Sequence, residues 1–274
     1  MKLKQFAAAA LTVAALGASS SYAAIMTDVV FLVDESGSMG TVQANLRNNI
    51  GLFASILNNN GNVDARYGLV GYGDASVVPR LIADITSAAN VATAAQGLRI
   101  DGGTESGFSA TAFALNALDN QTTTLSWRSN ALKNIIIFTD EDNDFLSTAL
   151  AAVGGQSISY GIVDTLLTQN NALFNAVVSS GGACTTANSD CYVPLALAHN
   201  GNQYNLNGLN TSDQTAVQTF VTAFAQSKLQ ETLNFCDLNP NDPACQGTVP
   251  EPATLGLMGL GLMGLAAFRR RKTT

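Results

Sequence analysis

VVFLVDESGSM (residues 29–39) carries five apolar residues straight into a cluster of oxygen-bearing side chains, Asp34, Glu35, Ser36 and Ser38. An apolar run without polar alternation is what a strand buried on both faces requires, the kind found in parallel sheets. A second such run, NIIIFTD (134–140), also ends in an acid, Asp140. Between the two lies a glycine-rich loop, DGGTES (101–106), with a hydroxyl at Thr104. In open α/β sheets, binding sites form beyond the carboxyl ends of the strands, where the strand order switches. A hard divalent cation suits such a set, since Mg²⁺ takes about six oxygen ligands and tends to keep some water. Asp34, Ser36 and Ser38 alternate, so in an extended loop their oxygens can face one way. Gly37 allows the chain to curve between the two serines.

The rest of the body alternates between two hydrophobic periods. Residues 28–34 read as a strand and 40–57 as a helix with Leu46, Ile50, Phe53 and Leu57 at 3–4 spacing. Strands are expected over 66–72 and 77–85 around a turn at Gly73-Asp74, then helices over 87–98 and 108–118. After the strand at 134–140 the pattern predicts a helix over 145–153, a strand over 158–163 and a helix over 172–178. A loop over 181–200, a last strand in QYNLN (203–207) and a final helix over 212–233 follow. Alternation of this kind predicts an α/β fold: a doubly wound, mostly parallel sheet with helices on both faces. No internal repeat is visible, and NNNGN (58–62) and NQTTT (120–124) read as solvated loops.

DESGSM, GGT (102–104) and IIIFTD (135–140) together resemble the von Willebrand factor A-type domain and its metal-ion-dependent adhesion site, over roughly residues 27–230. The resemblance implies that Ser36 and Ser38 bind a divalent cation through their hydroxyls. Thr104 would bind it directly or through water, and Asp34 and Asp140 would anchor it, often through waters. It implies Mg²⁺ first, with Ca²⁺ or Mn²⁺ compatible, and an open coordination position for a partner's carboxylate. One departure stands out: the strand-end Asp of that family is commonly followed by Gly, whereas here Glu141, Asp142 and then Asp144 follow. The added negative charge leaves the metal and the carboxylate-capture mode open.

Both ends read as address labels. Residues 1–23 hold Lys2 and Lys4, an apolar stretch and Ser21-Tyr22-Ala23, the pattern of a signal peptide cut after Ala23. At the other end, Ala253 to Phe268 is uncharged and is followed by Arg269, Arg270, Arg271 and Lys272. Sixteen helical residues rise about 24 Å, slightly short of a typical bilayer core of about 30 Å. The basic cluster after the apolar stretch would sit on the cytoplasmic side, leaving the body outside. Pro250-Glu251-Pro252 ahead of this stretch resembles the PEP-CTERM sorting signal of Gram-negative bacteria, which implies an exosortase-type processing enzyme and an exopolysaccharide-rich matrix. The expected division is therefore 1–23 signal peptide, 24–235 domain, 236–249 linker and 250–274 sorting or anchor segment.

Between the labels, residues 24–249 hold seven Lys and Arg against 19 Asp and Glu, a net charge of −12. Nucleic-acid binding depends on clustered cations, so it is excluded. The cysteines sit as Cys184/Cys191 and Cys236/Cys245. In an exported chain these short separations favour two local disulfide loops, although three connectivities are formally open. His199 is the single histidine, and no serine stands in a nucleophile-elbow pattern. The expected function is a non-enzymatic one: an exported adhesion or binding module for an extracellular protein or polysaccharide. A structural matrix protein whose cation only stabilises the fold is the alternative, and a glycan-active enzyme comes third.

Overall fold

The computed structural model describes residues 24–58, 61–179 and 190–246. The expected signal peptide, the sorting segment and Cys184 lie outside them. No helix among the described residues is long and apolar enough to cross a membrane.

Among the described residues, eight strands and six α-helices alternate along the chain. In order they are β1 (Ile25–Asp34), α1 (Gly40–Leu57), β2 (Val63–Tyr72), β3 (Arg80–Thr86), α2 (Ala88–Ala94), α3 (Gly107–Ala114) and β4 (Leu132–Thr139). Then come β5 (Ala152–Val153), β6 (Gln156–Ser157), α4 (Tyr160–Gln169), β7 (Leu173–Val178), α5 (Tyr192–Ala198), β8 (Gln203–Asn205) and α6 (Gln214–Leu238). Six strands form one sheet in the order β3-β2-β1-β4-β7-β8, while β5 and β6 make a separate hairpin. Every pairing in the large sheet is parallel except β2 with β3. This is the mostly parallel, doubly wound architecture expected from the alternation.

Strand alternation sorts the core into two layers. Val30, Leu32, Ile135, Ile137, Phe174 and Ala176 face the side covered by α3, α4 and α5. Val29, Phe31, Val33, Ile136, Phe138 and Val177 face the side covered by α1, α2 and α6. The chain leaves β1 toward β2 on one side and later returns to β4 on the other. The carboxyl ends of β1 and β4 therefore flank the switch point, and Asp34 and Asp140 stand there.

Five expectations in the C-terminal half are corrected. Residues 172–178 are the strand β7, not a helix, and the expected strand over 158–163 is the first part of helix α4. Short apolar runs do not separate the two periods, and here the surroundings decide. ALFNAVV is wholly buried between β4 and β8, after a turn at Asn171 with φ 47°. In α4 only Val163 and Leu167, one turn apart, are buried. The expected helix over 145–153 is an irregular strap ending in β5. The polar side chains just ahead of it serve another element: Asn143 Oδ1 accepts from Phe108 N (2.8 Å) and Asp144 Oδ2 from Glu105 N (3.0 Å), at the start of α3. The expected loop over 181–200 contains α5, with Pro194 in the helix's first turn, where a missing N–H is no loss. Helix α6 also runs further than expected and passes through the 235/236 division to Leu238.

The disulfide Cys236–Cys245 forms as read, folding the chain after α6 back on the helix end. Cys191 is disulfide-bonded too, and no described cysteine is free.

Candidate metal centre

Asp34 is the last residue of β1 and is fully buried. Its Oδ1 accepts from the backbone N–H of Ser36 (2.7 Å), and its Oδ2 accepts from the Thr139 hydroxyl at the end of β4 (2.8 Å). One carboxylate thus ties the ends of two central strands to the loop after β1. From there the oxygens continue outward: Ser36 Oγ lies 3.0 Å from Ser38 Oγ, and Ser38 Oγ donates to Asp140 Oδ1 at 3.1 Å. Ser36 is buried, Asp140 half-buried and Ser38 exposed, so the cluster is a pit open to solvent at its outer end.

Four of the five expected residues are therefore linked in one contact chain. Thr104 is placed beside them by backbone. Ser36 and Gly102 form an isolated parallel bridge, in which Gly37 N donates to Gly102 O (3.3 Å) and Gly102 N to Glu35 O (3.4 Å). A Cβ at Gly102 would fall 1.6 Å from the Gly73 carbonyl oxygen, so only glycine lets the two loops approach this closely. Gly73 itself has φ 78°, and a side chain there would meet the Thr104 carbonyl at 3.4 Å and Asp34 Oδ1 at 3.5 Å. Thr104 is half-buried, and its backbone carbonyl and Asp34 Oδ1 both border the space beside Gly73.

The charge around the pit is one-sided. Glu35, next to Asp34, is also fully buried, but it faces Arg80, whose Nε donates at 2.8 Å and whose second guanidinium nitrogen also contacts it. Arg99 N donates to the same carboxylate at 2.6 Å, and the Arg99 guanidinium pairs with buried Asp74. The two arginines of this region are thus taken up by Glu35 and Asp74. Among the described residues no Lys, Arg or His pairs with Asp34 or Asp140. Burial pushes the Asp34 carboxyl up to about 6, the nearby Asp140 charge adding to the effect against hydrogen bonds from Ser36 and Thr139. Glu105 is pushed up to about 7 by burial and by the charges of Asp34, Glu141 and Asp144. Glu141, Asp142 and Asp144 are exposed.

No group of three or more His, Cys, Asp and Glu among the described residues is arranged to hold a metal. A cation here would rest on hydroxyls as much as on carboxylates, an all-oxygen set that suits Mg²⁺, Ca²⁺ or Mn²⁺. Unpaired carboxylates and clustered hydroxyls at the switch point fit such an ion.

Several positions were not singled out from sequence. Glu35 lies inside DESGSM but, one residue past Asp34, takes the opposite face; Thr139 precedes Asp140 in FTD. Asp74, Arg80 and Arg99 carry no local pattern that ties them to the pit. His199 is buried and its Nε2 contacts Asp164 Oδ1 at 2.9 Å, on the α4 side of the sheet and away from the oxygen cluster.

A Rossmann-like sheet with an oxygen-lined pit at its switch point defines an α/β binding-domain class. A family model, the von Willebrand factor type A domain, matches residues 28–190, and the PEP-CTERM protein-sorting motif matches 248–272. The chain belongs to the von Willebrand factor type A domain family and carries a PEP-CTERM sorting motif, which points to export and membrane-associated processing. No curated protein matches. Among solved structures, proximal thread matrix protein 1 from the mussel byssus is similar at 13% identity and TM-score 0.46, covering 72% of this chain and 47% of that one. Its form with a zinc-occupied MIDAS motif is similar at 15% identity and TM-score 0.47, covering 75% and 47%. This chain thus spans about half the length of the structures it matches, at 47% coverage.

Proposed function

We propose that the chain is an exported, non-enzymatic binding module that holds a divalent cation, Mg²⁺ first, at Asp34, Ser36, Ser38, Thr104 and Asp140. Ser36 and Ser38 would give it hydroxyl oxygens, Asp34 and Asp140 negative charge, and Thr104 a further oxygen directly or through water. The cation would supply a Lewis-acidic point at the mouth of the pit, able to take a carboxylate from an extracellular protein or polysaccharide. The single observation behind this reading is the unbroken contact chain from buried Asp34 through both serines to Asp140, with no cationic side chain among the described residues paired to either acid. The proposed organisation is a signal peptide over 1–23, a domain over 24–235, a linker over 236–249 and a sorting segment over 250–274. An exosortase-type enzyme would act at that last segment, delivering the protein to the surface or matrix of a Gram-negative cell.

Calorimetric titration of Mg²⁺, Ca²⁺ and Mn²⁺ into the full-length chain, beside a Ser36→Ala/Ser38→Ala variant, tests the site. Saturable binding by the parent, weakened at least tenfold in the variant, is the expected outcome. Equal affinity in both chains would sink the assignment. A second reading, in which the cation only stabilises the domain, is favoured by the complete burial of Asp34. It requires that chelation lower the unfolding temperature while partner binding persists.

A further inference from the structure

At the opposite pole of the sheet a cleft of about 390 Å³ opens between α6 and the amino-terminal end of β7. Its volume falls within the range of about 300–1,000 Å³ usual for small-molecule sites. Five amide side chains line it, Asn200, Asn202, Gln230, Asn234 and Asn239, together with the Ser227 hydroxyl. Leu173, Phe235 and Leu238 give it an apolar wall, and Leu238 is 82% exposed.

The floor is held rigidly. Glu231, buried at the base, takes Lys228 Nζ and Asn175 Nδ2 (3.2 Å) on Oε1 and Asn202 Nδ2 (3.2 Å) on Oε2. Asn175 Oδ1 accepts from Asn202 N at 2.9 Å, and Asn175 Nδ2 reaches Asn134 Oδ1 at 3.3 Å. A carboxylate has about four lone-pair sites, so Oε2 keeps one for a ligand donor. Lys228 is fully buried beneath and balances the Glu231 charge from inside. The cleft therefore presents dipoles and hydrogen-bonding groups but no net charge to neutralise. On its outer wall Gln230 Nε2 donates to Asn234 Oδ1 at 2.7 Å, which orients both amides on the exposed face of α6.

An amide offers both a donor and an acceptor, and so does each hydroxyl of a sugar ring; an apolar wall beside them suits the ring's C–H face. We propose that this cleft binds an uncharged, polyhydroxylated ligand, a neutral carbohydrate chain, without the cation. From Asn134 to Thr139 the strand spans about 17 Å at ~3.3 Å per residue, so the cleft and the oxygen pit are separate places.

The test is a glycan array carrying neutral and uronate-containing oligosaccharides, probed with the full-length chain in EDTA. The best neutral ligand is then titrated by calorimetry into the parent and into Gln230→Ala/Asn234→Ala. Both substituted positions are exposed on a helix, where alanine is well tolerated, and an unchanged unfolding temperature would show that the variant folds. Expected is saturable binding of a neutral glycan in EDTA, weakened at least tenfold in the variant. Silence across the neutral glycans in EDTA overturns the proposal, as does binding that the double substitution leaves unchanged. Binding confined to uronates and abolished by EDTA also overturns it, by assigning glycan recognition to the pit.

Discussion

Asp34 makes the cation-free domain weaker as pH rises, which is the reverse of what most buried, paired carboxylates do. Its carboxyl is raised from 3.8 to about 6, chiefly by burial. Below about pH 4 it is protonated in both folded and unfolded chains, and the folded state loses nothing. Between about pH 4 and 6 the unfolded chain releases the proton first, so the folded state is progressively disfavoured; by pH 7 the loss is complete. A gap of roughly two pH units corresponds to about 3 kcal/mol. Saturating cation should return much of it, since a ligand at a hundred times its Kd stabilises by about 2.7 kcal/mol.

Urea unfolding of the full-length chain in EDTA at pH 4, 5, 6 and 7, beside Asp34→Asn, measures this term. The variant keeps an acceptor for Ser36 N, and its amide can donate to the Thr139 hydroxyl, which can turn to donate to Glu141 O 3.3 Å away. Asp74 and Asp84, held below the usual carboxylate range by hydrogen bonds from Ser76 and from Ser126 respectively, lend stability with the opposite slope. Being common to both chains, that slope cancels in the difference. The stability of the parent minus that of the variant should fall by about 2.5 kcal/mol from pH 4 to 7. A difference flat to within about 0.5 kcal/mol would refute the reasoning, because Asp34 would then carry no burial penalty for a cation to relieve.

Further outcomes follow from the packing. Gly102→Ala should destabilise by about 2 kcal/mol or more and weaken Mg²⁺ binding, since its Cβ would meet the Gly73 carbonyl oxygen at 1.6 Å. Gly103→Ala, with nothing within 4 Å, should stay within about 0.5 kcal/mol of the parent in the same urea and calorimetric assays. Arg128→Met should cost about 3–5 kcal/mol in urea unfolding, because buried Asp28 would lose the guanidinium that contacts it at 2.7 Å. Adding Asp28→Asn to that variant should recover part of the loss.

The fold was legible where an apolar run was dominated by β-branched residues. VVFLV and NIIIF, with three valines and three isoleucines, read as strands buried on both faces, and they place Asp34 and Asp140 at the switch point. ALFNAVV and SYGIVDTLLTQ were not legible, because their mixed apolar residues satisfy either period; pairing with β4 and β8 makes the first a strand, and the second buries only Val163 and Leu167 as a helix. The strap at 141–151 misleads for a different reason. Its Leu146 and Leu150 are four apart, a helical spacing, but Leu150 stands 52% exposed and Phe145 55%, while Asn143 accepts from Phe108 N in the first turn of α3 and Asp144 from Glu105 N just before it. A hydrogen bond to another element leaves no periodic trace.

The adjacent acids Asp34 and Glu35 explain why the electrostatics of the pit were harder to read than the oxygens around it. Strand alternation sends them to opposite faces. Glu35 turns toward the layer of Val33, where a Cβ at Gly71 would lie 2.2 Å from its Oε2, so glycine makes the room in which it meets Arg80. Asp34 turns toward the α3 side, where its partners are a backbone N–H and a hydroxyl. Had the register slipped by one residue, Glu35 would face the pit and Asp34 the arginine, and the pit would have lost its short, strand-anchored carboxylate. The arrangement thus places the region's two cationic side chains behind the loop, holding it in shape, while the carboxylate in front stays unpaired. An oxygen site that must attract a cation from solvent needs that separation, because an arginine within reach of Asp34 would fill the same role.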